Sequence, residues 1–503
     1  MTALLQGAIP CLARSGPGDA LAQARSLAEQ GRRAEARAAL LPLLQAPAEA
    51  GQASLLLGVI AEDDGNLPEA LTHYARAVDL LPGHAEAHDR LGYALGRSGR
   101  TVEALAHFER AVDLAPALFD AHYHLGATRW WVKQSAAAVQ PLTTAVALRP
   151  EHAEARFYLG RVLRETGRAV EGLMQLEEAV RLSPMRPAMH AQLGLARLEL
   201  GDVENAVAAL RRALQLDARP TDTRNNLALA LVQAGEWREA EAIWGALLAE
   251  RPDQHDAHLN LGMSQLQRGD LPAAVATYRA LVARAPDHAA AFYNLGMALK
   301  QQDQFADAEA ALRRACELDP ALRDAPFTLG VLLWQTGRAE DAIAQFDSAI
   351  RRDATFADAH YMRGLVQRQQ GDIAGAIASL RLAVALRPES GDAQISLADT
   401  LGQAGDVTGA AVARETAARL AQRKSDSQAS TFAVGVGRER RKQQDLAGAI
   451  ERFRQAVQLA GDNPHAHYQL ALTLRQLGHL EEARRHFDEA TRLAPFLRPP
   501  PLP

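Results

Sequence analysis

The stretch YNLGMALKQQDQFADAEAALRRACELDP, residues 293–320, repeats the pattern of HLNLGMSQLQRGDLPAAVATYRALVARAP, residues 258–286, after an interval of 34 residues. Gly262, for example, recurs as Gly296 in the same Asn-Leu-Gly setting. A fixed interval of this length indicates an array of similar structural units that stack on one another. The 503 residues are therefore better interpreted as one long array than as several globular domains.

Four positions of the repeat hold characteristic residues when Gly262 is taken as position eight of a 34-residue unit. Position eight holds a small residue: Gly58, Gly92, Gly126, Gly160, Gly194, Ala228, Gly262, Gly296, Gly330, Gly364 and Ala398. Position twenty also holds a small residue: Ala70, Ala104, Ala138, Gly172, Ala206, Ala240, Ala274, Ala308, Ala342 and Ala376. Position fifteen holds glycine: Gly65, Gly99, Gly167, Gly201, Gly235, Gly269, Gly337, Gly371 and Gly405. Position thirty-two holds proline: Pro82, Pro116, Pro150, Pro184, Pro252, Pro286, Pro320 and Pro388.

Each column has a physical reason. A helix of three turns needs about 12 residues, so a 34-residue unit holds two helices and two short turns. Small residues at positions eight and twenty allow the two helices to approach closely. Glycine at position fifteen is typical of a left-handed cap that ends the first helix. Proline at position thirty-two cannot continue the second helix and so ends it.

These columns resemble the tetratricopeptide repeat, in which Leu-Gly, Tyr or Phe, Ala and Pro occupy the same positions. The resemblance covers nearly the whole chain. It implies an all-α fold, a right-handed superhelical solenoid of about fourteen helix-turn-helix repeats. It also implies that the first helices line a concave groove, which is the usual binding surface of such solenoids.

The register divides the chain into five segments. Twelve 34-residue repeats are predicted in residues 17–424, and two further repeats in residues 430–497. Between them the register slips by the five residues SDSQA, 425–429, which we interpret as an insertion or hinge. Residues 1–16 form an N-terminal segment that we expect to be flexible, and residues 498–503 form a proline-rich tail.

The array departs from its own pattern next to the insertion and at the last repeat. Arg414 takes the aromatic position and Gln422 the proline position of the repeat before residues 425–429, which favours a weak junction there. At the other end, the proline tail cannot form a capping helix. The last helix, with Phe487 and Ala490, would then either expose an apolar face to a partner or be covered by the tail.

Composition and motifs exclude several classes of function. A net charge of −5 with 23% charged residues shows no excess of positive charge of the kind that favours binding to nucleic acid or to a membrane surface. Cys11 and Cys316 are too few for a disulfide framework or a multi-cysteine zinc site. No segment reaches the roughly 18 apolar residues of a membrane span. No Lys or Arg precedes the first apolar run, so we expect a cytoplasmic protein without a secretory signal.

No catalytic or cofactor motif is found, so the chain is not expected to be an enzyme or to hold a cofactor or metal. The glycines of VGVGRERR, Gly435 and Gly437, lack a third glycine and a preceding strand, and we interpret them as part of a helix. Six histidines share position four: His88, His122, His190, His258, His360 and His467. Neighbouring units lie about 10 Å apart, too far for a shared metal, so these rings are expected to pack between helices.

Position six carries Asn226, Asn260 and Asn294 in three consecutive units. Their setting resembles the asparagine ladder in the repeat domain of O-linked N-acetylglucosamine transferases, which implies contacts with the main chain of an extended peptide. Position thirteen carries glutamine in six consecutive units: Gln233, Gln267, Gln301, Gln335, Gln369 and Gln403. These glutamines are interpreted either as groove contacts or as solvated helix ends chosen for helix propensity.

Aromatic and basic side chains supply further candidates. Trp130 and Trp131 are adjacent and cannot both face the core, so one is an exposed anchor candidate, and Trp334 shares the position of Trp130. We name Trp131 and Trp334 as groove residues. Four cations cluster near the C-terminus and could receive an acidic segment or simply form a solvated helix face: Arg438, Arg440, Arg441 and Lys442.

The sequence therefore predicts a scaffold or adaptor without catalytic activity, whose groove holds a protein or extended peptide along residues 221–322. An alternative is a repeat subunit that recruits substrates for a separate enzyme, such as a glycosyltransferase. A third hypothesis is an assembly factor that self-associates through its C-terminal repeat. Neither a nucleic acid nor a membrane is an expected partner.

Overall fold

The computed structural model describes residues 17–494 and residue 497. The expected N-terminal segment 1–16, the tail 498–503, Pro495 and Phe496 lie outside the described residues. The chain divides into two compact units, 1–240 and 241–503, and each is described by itself.

The described residues form 27 α-helices and one short 3-10 helix, Leu41–Gln45. In the first unit the helices are α1 Pro17–Glu29, α2 Arg33–Leu40, α3 Ala50–Asp63, α4 Leu67–Leu80, α5 Ala85–Arg97, α6 Thr101–Leu114, α7 Phe119–Trp131, α8 Ser135–Leu148, α9 Ala153–Glu165, α10 Ala169–Leu182, α11 Pro187–Glu199, α12 Val203–Leu216 and α13 Thr221–Gln233. The boundary between the units falls within α14, Trp237–Glu250. The second unit continues with α15 His255–Gln267, α16 Leu271–Arg284, α17 Ala289–Gln301, α18 Phe305–Leu318, α19 Asp324–Gln335, α20 Ala339–Arg352, α21 Ala357–Gln369, α22 Ile373–Leu386, α23 Gly391–Gln403, α24 Val407–Lys442, α25 Leu446–Leu459, α26 Pro464–Gln476 and α27 Leu480–Leu493.

Within each unit the helices pack as helix-turn-helix pairs, and each pair packs against the next. No strand occurs among the residues that the structure describes. The predicted all-α solenoid of helix-turn-helix repeats is therefore confirmed. None of the described helices is long and apolar enough to span a bilayer.

A left-handed residue marks the turn inside every repeat. Position fifteen has a positive φ in all fourteen repeats, at eleven glycines and at Lys133, Asp303 and Gln444. Gln444 and Gly478 are the two such residues that follow the five-residue slip. An L-residue in this region is strained, which explains why glycine predominates at this position.

Position eight is where the two helices of a pair come closest. In ten repeats a glycine stands there, and a Cβ built on it would lie 2.5–2.8 Å from the residue sixteen positions later in the second helix. That residue is tyrosine in two pairs, as in Tyr74 over Gly58, phenylalanine in three, as in Phe346 over Gly330, and leucine in five. Since real Cβ contacts are longer than this, the large side chain fits only because position eight has none.

The five residues 425–429 lie inside α24, an uninterrupted helix of 36 residues. Its first part packs on α23 and its last part on α25. The stretch is therefore helical, because SDSQA contains neither glycine nor proline to end the helix. The hinge itself stays a prediction. Arg414 does not fill the space of the missing aromatic ring, since its side chain is 61% exposed and lies 3.7 Å from Asp399.

The last pair, α26 and α27, buries the residues suspected of forming an open face. Phe487 is 5% exposed and contacts Tyr468 of α26, and Ala490 is fully buried. The outward residues of α27 include the exposed, charged Arg484, Arg485 and Asp488. Phe487 and Ala490 therefore do not supply an uncovered apolar surface for a second copy.

Two glycines of α24 allow the close-contact rule to be tested. Gly437→Ala would place a Cβ 2.5 Å from the ring of Phe453, so we expect it to lower the free energy of unfolding by about 1–3 kcal/mol. Gly435→Ala is the matched control, because nothing lies within 4 Å of its added Cβ, and it should instead gain about 0.5–1 kcal/mol of helix stability. Urea denaturation followed by circular dichroism measures both. Equal effects of the two substitutions would contradict the rule.

Candidate functional site

The first unit contains a cavity of about 890 Å³ lined mainly by first helices of neighbouring repeats. Its walls come chiefly from α5 and α7, with Glu62 from α3 and Tyr158 from α9. Thr101 and Phe108 of the second helix α6 complete the lining, with Leu118 from the loop before α7. The cavity therefore depends on the stacking of several repeats and on no single one.

Aromatic rings make up much of the wall. Tyr123 lies 6.0 Å from Tyr158 between ring centroids, Tyr158 lies 5.4 Å from Trp130, and Trp130 lies 6.3 Å from Trp131. Trp131 is 72% exposed, whereas Trp130 is half-buried. One of the adjacent tryptophans thus packs in the wall while the other presents its ring to solvent, the arrangement that an anchor for a ligand requires.

Trp130 is held in place by polar contacts. Its indole Nε1 donates to Glu165, at 3.0 Å, and the guanidinium of Arg161 lies 4.1 Å from its ring centroid. Ser135 also donates to Glu165, at 2.6 Å. These hydrogen bonds hold the pKa of Glu165 below its usual value, although its partial burial opposes this.

The cavity also holds charged groups. Asp89 is 3% exposed and its Oδ1 lies 2.8 Å from Nδ1 of His124. Tyr74 donates to Glu62, which also lies 3.8 Å from Arg90 and 3.9 Å from Arg97. The wall is therefore a mixed surface, with apolar rings for burial and fixed charges for orientation.

Sequence reasoning placed the groove at residues 221–322 and missed this cavity, apart from the tryptophans. Tyr93, Tyr123 and Tyr158 occupy positions nine, five and six of first helices, and all three line the cavity. The signal was present as three aromatic residues at groove positions of successive repeats. It was missed because the three rings stand at three different positions and form no column.

The three predicted asparagines are all half-buried. Asn226 lies in the first unit, and Asn260 and Asn294 lie in the second. Asn294 donates from its side-chain nitrogen to the carbonyl of Ala290, one turn earlier, at 2.9 Å. This bond holds its amide in one orientation and leaves the amide oxygen as an acceptor.

The six predicted glutamines are all exposed. Gln369 accepts a hydrogen bond from the indole of Trp334, at 2.5 Å, so this pair is already engaged within the second unit. Trp334 repeats the arrangement of Trp130, whose partner Glu165 also stands at position thirteen of the next repeat. Within the described part of the chain, no side-chain hydrogen bond is made by the other five glutamines, Gln233, Gln267, Gln301, Gln335 and Gln403.

The predicted basic cluster is partly neutralised by its own helix. Lys442 pairs with Glu439 at 2.8 Å, and Arg440 lies 3.4 Å from Asp445. Partial burial lowers the pKa of Arg441, and Arg438 remains exposed. Because two of the four cations already face carboxylates, the cluster is a weaker candidate for an acidic partner than its sequence indicated.

The histidine column at position four has a structural role. Each of the six rings is 5–9% exposed, and each donates from Nε2 to the carbonyl oxygen six residues earlier, at 2.9–3.2 Å. That carbonyl belongs to position thirty-two of the preceding repeat. Arg156 makes the same bond to Pro150 in a repeat without the histidine. Among the described residues, no group of three or more His, Cys, Asp or Glu could hold a metal.

In two repeats the position-four histidine meets a second ring. Nδ1 of His88 lies 3.0 Å from Nδ1 of His107, and Nδ1 of His467 lies 2.9 Å from Nδ1 of His486. Since Nε2 of His88 donates to Pro82, its Nδ1 is the acceptor and His107 donates. Only one hydrogen fits between the facing nitrogens, so both rings of a pair cannot be protonated without breaking the contact.

The repeats of the chain match known protein-family models. One model, described as tetratricopeptide repeat, matches more than half of it, at residues 21–85, 133–176, 171–223, 225–286, 262–323, 327–391 and 369–427. Two further models with the same description match residues 440–497 and 85–118. No match is found among curated proteins.

Solved structures with a similar fold include three repeat proteins of low identity. A tetratricopeptide repeat protein from Parabacteroides merdae ATCC 43184 is 17% identical, with a TM-score of 0.41 over 50% of this chain and 98% of its own. YrrB, described as a TPR protein with an unusual peptide-binding site, is 20% identical, with a TM-score of 0.31 over 37% and 96%. MamA 41-end from Desulfovibrio magneticus RS-1 is 24% identical, with a TM-score of 0.32 over 33% and 95%.

Burial of the imidazole rings predicts a loss of stability in mild acid. It lowers the pKa of six histidines below the ordinary value of 6.5: His73, His88, His107, His258, His360 and His486. Below pH 6.5 the unfolded chain then binds more protons than the folded chain, so stability falls as the pH falls through 6.5 and levels off below the folded pKa values. The urea midpoint should be lower at pH 5.5 than at pH 7.5.

His107→Asn isolates the contribution of one pair. The amide of asparagine can still donate to His88 but does not titrate, so this variant should lose part of the pH dependence. A urea midpoint that is independent of pH in the wild type would contradict the assignment.

Proposed function

The chain belongs to the tetratricopeptide repeat family, whose members act as protein-interaction scaffolds, and we propose from this premise that it is a non-catalytic adaptor. Its first helices would hold an extended segment of a partner protein. Packing and capping bonds occupy the buried positions of each repeat, which leaves the groove positions free to differ between repeats.

The observation that carries the proposal is the cavity of about 890 Å³ in the first unit. It spans the first helices of consecutive repeats, as a surface for an extended chain would, and it is within the usual size of a ligand pocket. Its exposed Trp131 offers a large, rigid ring that loses little conformational freedom on binding. An extended segment lying across α5, α7 and α9 would bury this ring.

The second unit offers complementary polar groups. Asn260 and Asn294 stand one repeat apart on α15 and α17, and the exposed Gln267 and Gln301 stand at the ends of the same helices. A carboxamide can both donate to and accept from a peptide main chain, so such a row selects extended backbone and no particular sequence. Each hydrogen bond adds only about 0.5–1.5 kcal/mol, and several must act together.

Capture of partners from a native lysate tests the proposal. Trp131→Ala should weaken capture strongly, by about 30-fold or more, since truncation of an exposed aromatic anchor typically costs at least ~2 kcal/mol. Asn260→Ala combined with Asn294→Ala tests the second unit separately. Mass spectrometry identifies and quantifies the captured proteins, and circular dichroism verifies that each variant folds.

Met174→Ala is the matched control for Trp131→Ala. Met174 is 58% exposed in the same unit, but it lies on the second helix α10 and outside the cavity. Its truncation should leave capture unchanged. If the wild type, the Trp131 variant and the asparagine variant all retained the same partners at the same level, binding along the first helices would be excluded.

A further inference from the structure

The charges that line the cavity of the first unit do not balance. Four carboxylates line it, those of Glu62, Glu86, Asp89 and Asp120, against the two guanidinium groups of Arg90 and Arg97. Among the carboxylates and guanidinium groups of the wall, negative charges therefore exceed positive charges by two. A ligand that brings a positive charge would therefore be favoured over a neutral or an anionic one.

The carboxylates differ in how far their own chain neutralises them. Glu62 faces two arginines, and Asp120 lies 3.6 Å from Arg149. Glu86 is exposed and makes no hydrogen bond or ion pair within the described residues. Asp89 is almost fully buried, and His124 occupies only one of its two carboxylate oxygens. Glu86 and Asp89 thus retain capacity to accept hydrogen bonds at the cavity wall.

The aromatic rings of the same wall already accept guanidinium groups of the chain itself. Arg161 lies over Trp130 at 4.1 Å, and Arg97 lies over Tyr93 at 5.9 Å. Trp131 is exposed and has no cation over its ring among the described residues. A planar guanidinium can stack on such a ring while it donates several hydrogen bonds to a carboxylate, which the compact ammonium of lysine does less well.

We propose that this cavity receives an arginine side chain of the partner segment. The guanidinium would face Glu86 and Asp89 and pack its flat side against the aromatic wall, with the flanking residues of the segment filling the rest of the cavity. This inference rests on the proposed adaptor function and specifies the chemistry of its partner, an extended segment that contains arginine.

The test measures binding of synthetic peptides to the purified full chain by fluorescence anisotropy. The probe is a labelled peptide of three Gly-Ser-Arg repeats, compared with the same peptide carrying citrulline, the uncharged isostere of arginine, and with a lysine version. We expect the arginine peptide to bind at least about 10-fold more tightly than the citrulline peptide, and more tightly than the lysine peptide. Trp131→Ala should weaken binding of the arginine peptide by a similar factor.

Glu86→Gln and Glu204→Gln form a matched pair of variants. Both carboxylates are exposed, stand in the first turn of a helix and belong to the first unit, but only Glu86 lines the cavity. Glu86→Gln should weaken binding of the arginine peptide about 3- to 10-fold and leave binding of the citrulline peptide unchanged. Glu204→Gln should leave both unchanged, which controls for attraction to the net negative chain.

The outcomes separate this inference from the adaptor function. Equal binding of the arginine and citrulline peptides, or equal effects of the two glutamate variants, would overturn the arginine site. The adaptor function would still stand if Trp131→Ala reduced capture of cellular partners. If capture were unchanged by that variant while the peptides discriminated as expected, the arginine site would stand and the adaptor function would lose its carrying observation.

Discussion

Glycine at position eight, or alanine in four repeats, allows the two helices of each repeat to pack closely. In ten repeats the residue sixteen positions later fills this space, so that Tyr74, Phe108 or Leu142 lies where a Cβ would otherwise stand. The turn between the helices follows from the same closeness, because a short connection must pass through a left-handed residue. The stacking of pairs along the array depends on this close packing within each pair.

In the repeats that carry histidine at position four, and in the repeat with Arg156, a second, polar contact joins one pair to the preceding pair. The residue at position four reaches back to a carbonyl of the preceding repeat, as His122 does to Pro116 at 2.9 Å. The bond satisfies a backbone acceptor that the end of the second helix leaves without an intrahelical partner. Arg156, at position four of its repeat, makes an equivalent bond. Position four therefore requires a side chain that is long enough and can donate a hydrogen bond, and imidazole is not essential. Burial lowers the pKa of three of these rings, His88, His258 and His360, so the folded chain favours their neutral form.

These contacts occupy the buried positions of each repeat and leave the groove positions free to vary. In the first unit this freedom is used for an aromatic and acidic cavity around Asp89 and Trp131. In the second unit it is used for carboxamides such as Asn294 and Gln301. We propose that each surface recognises a different chemical feature, because rings and fixed charges can select side chains, whereas carboxamides can bind extended backbone.

The repeat length, the helix pairing and the turns were determined by the sequence alone, because they arise between residues at most one repeat apart. Even Lys133 and Gln444, which break the glycine column, keep its backbone conformation. The engagement of Gln369 by Trp334 was decided only in the tertiary structure. The cavity was likewise decided only in the tertiary structure. Its rings come from different positions of successive repeats, and only stacking brings them together, so no column in the sequence marks them.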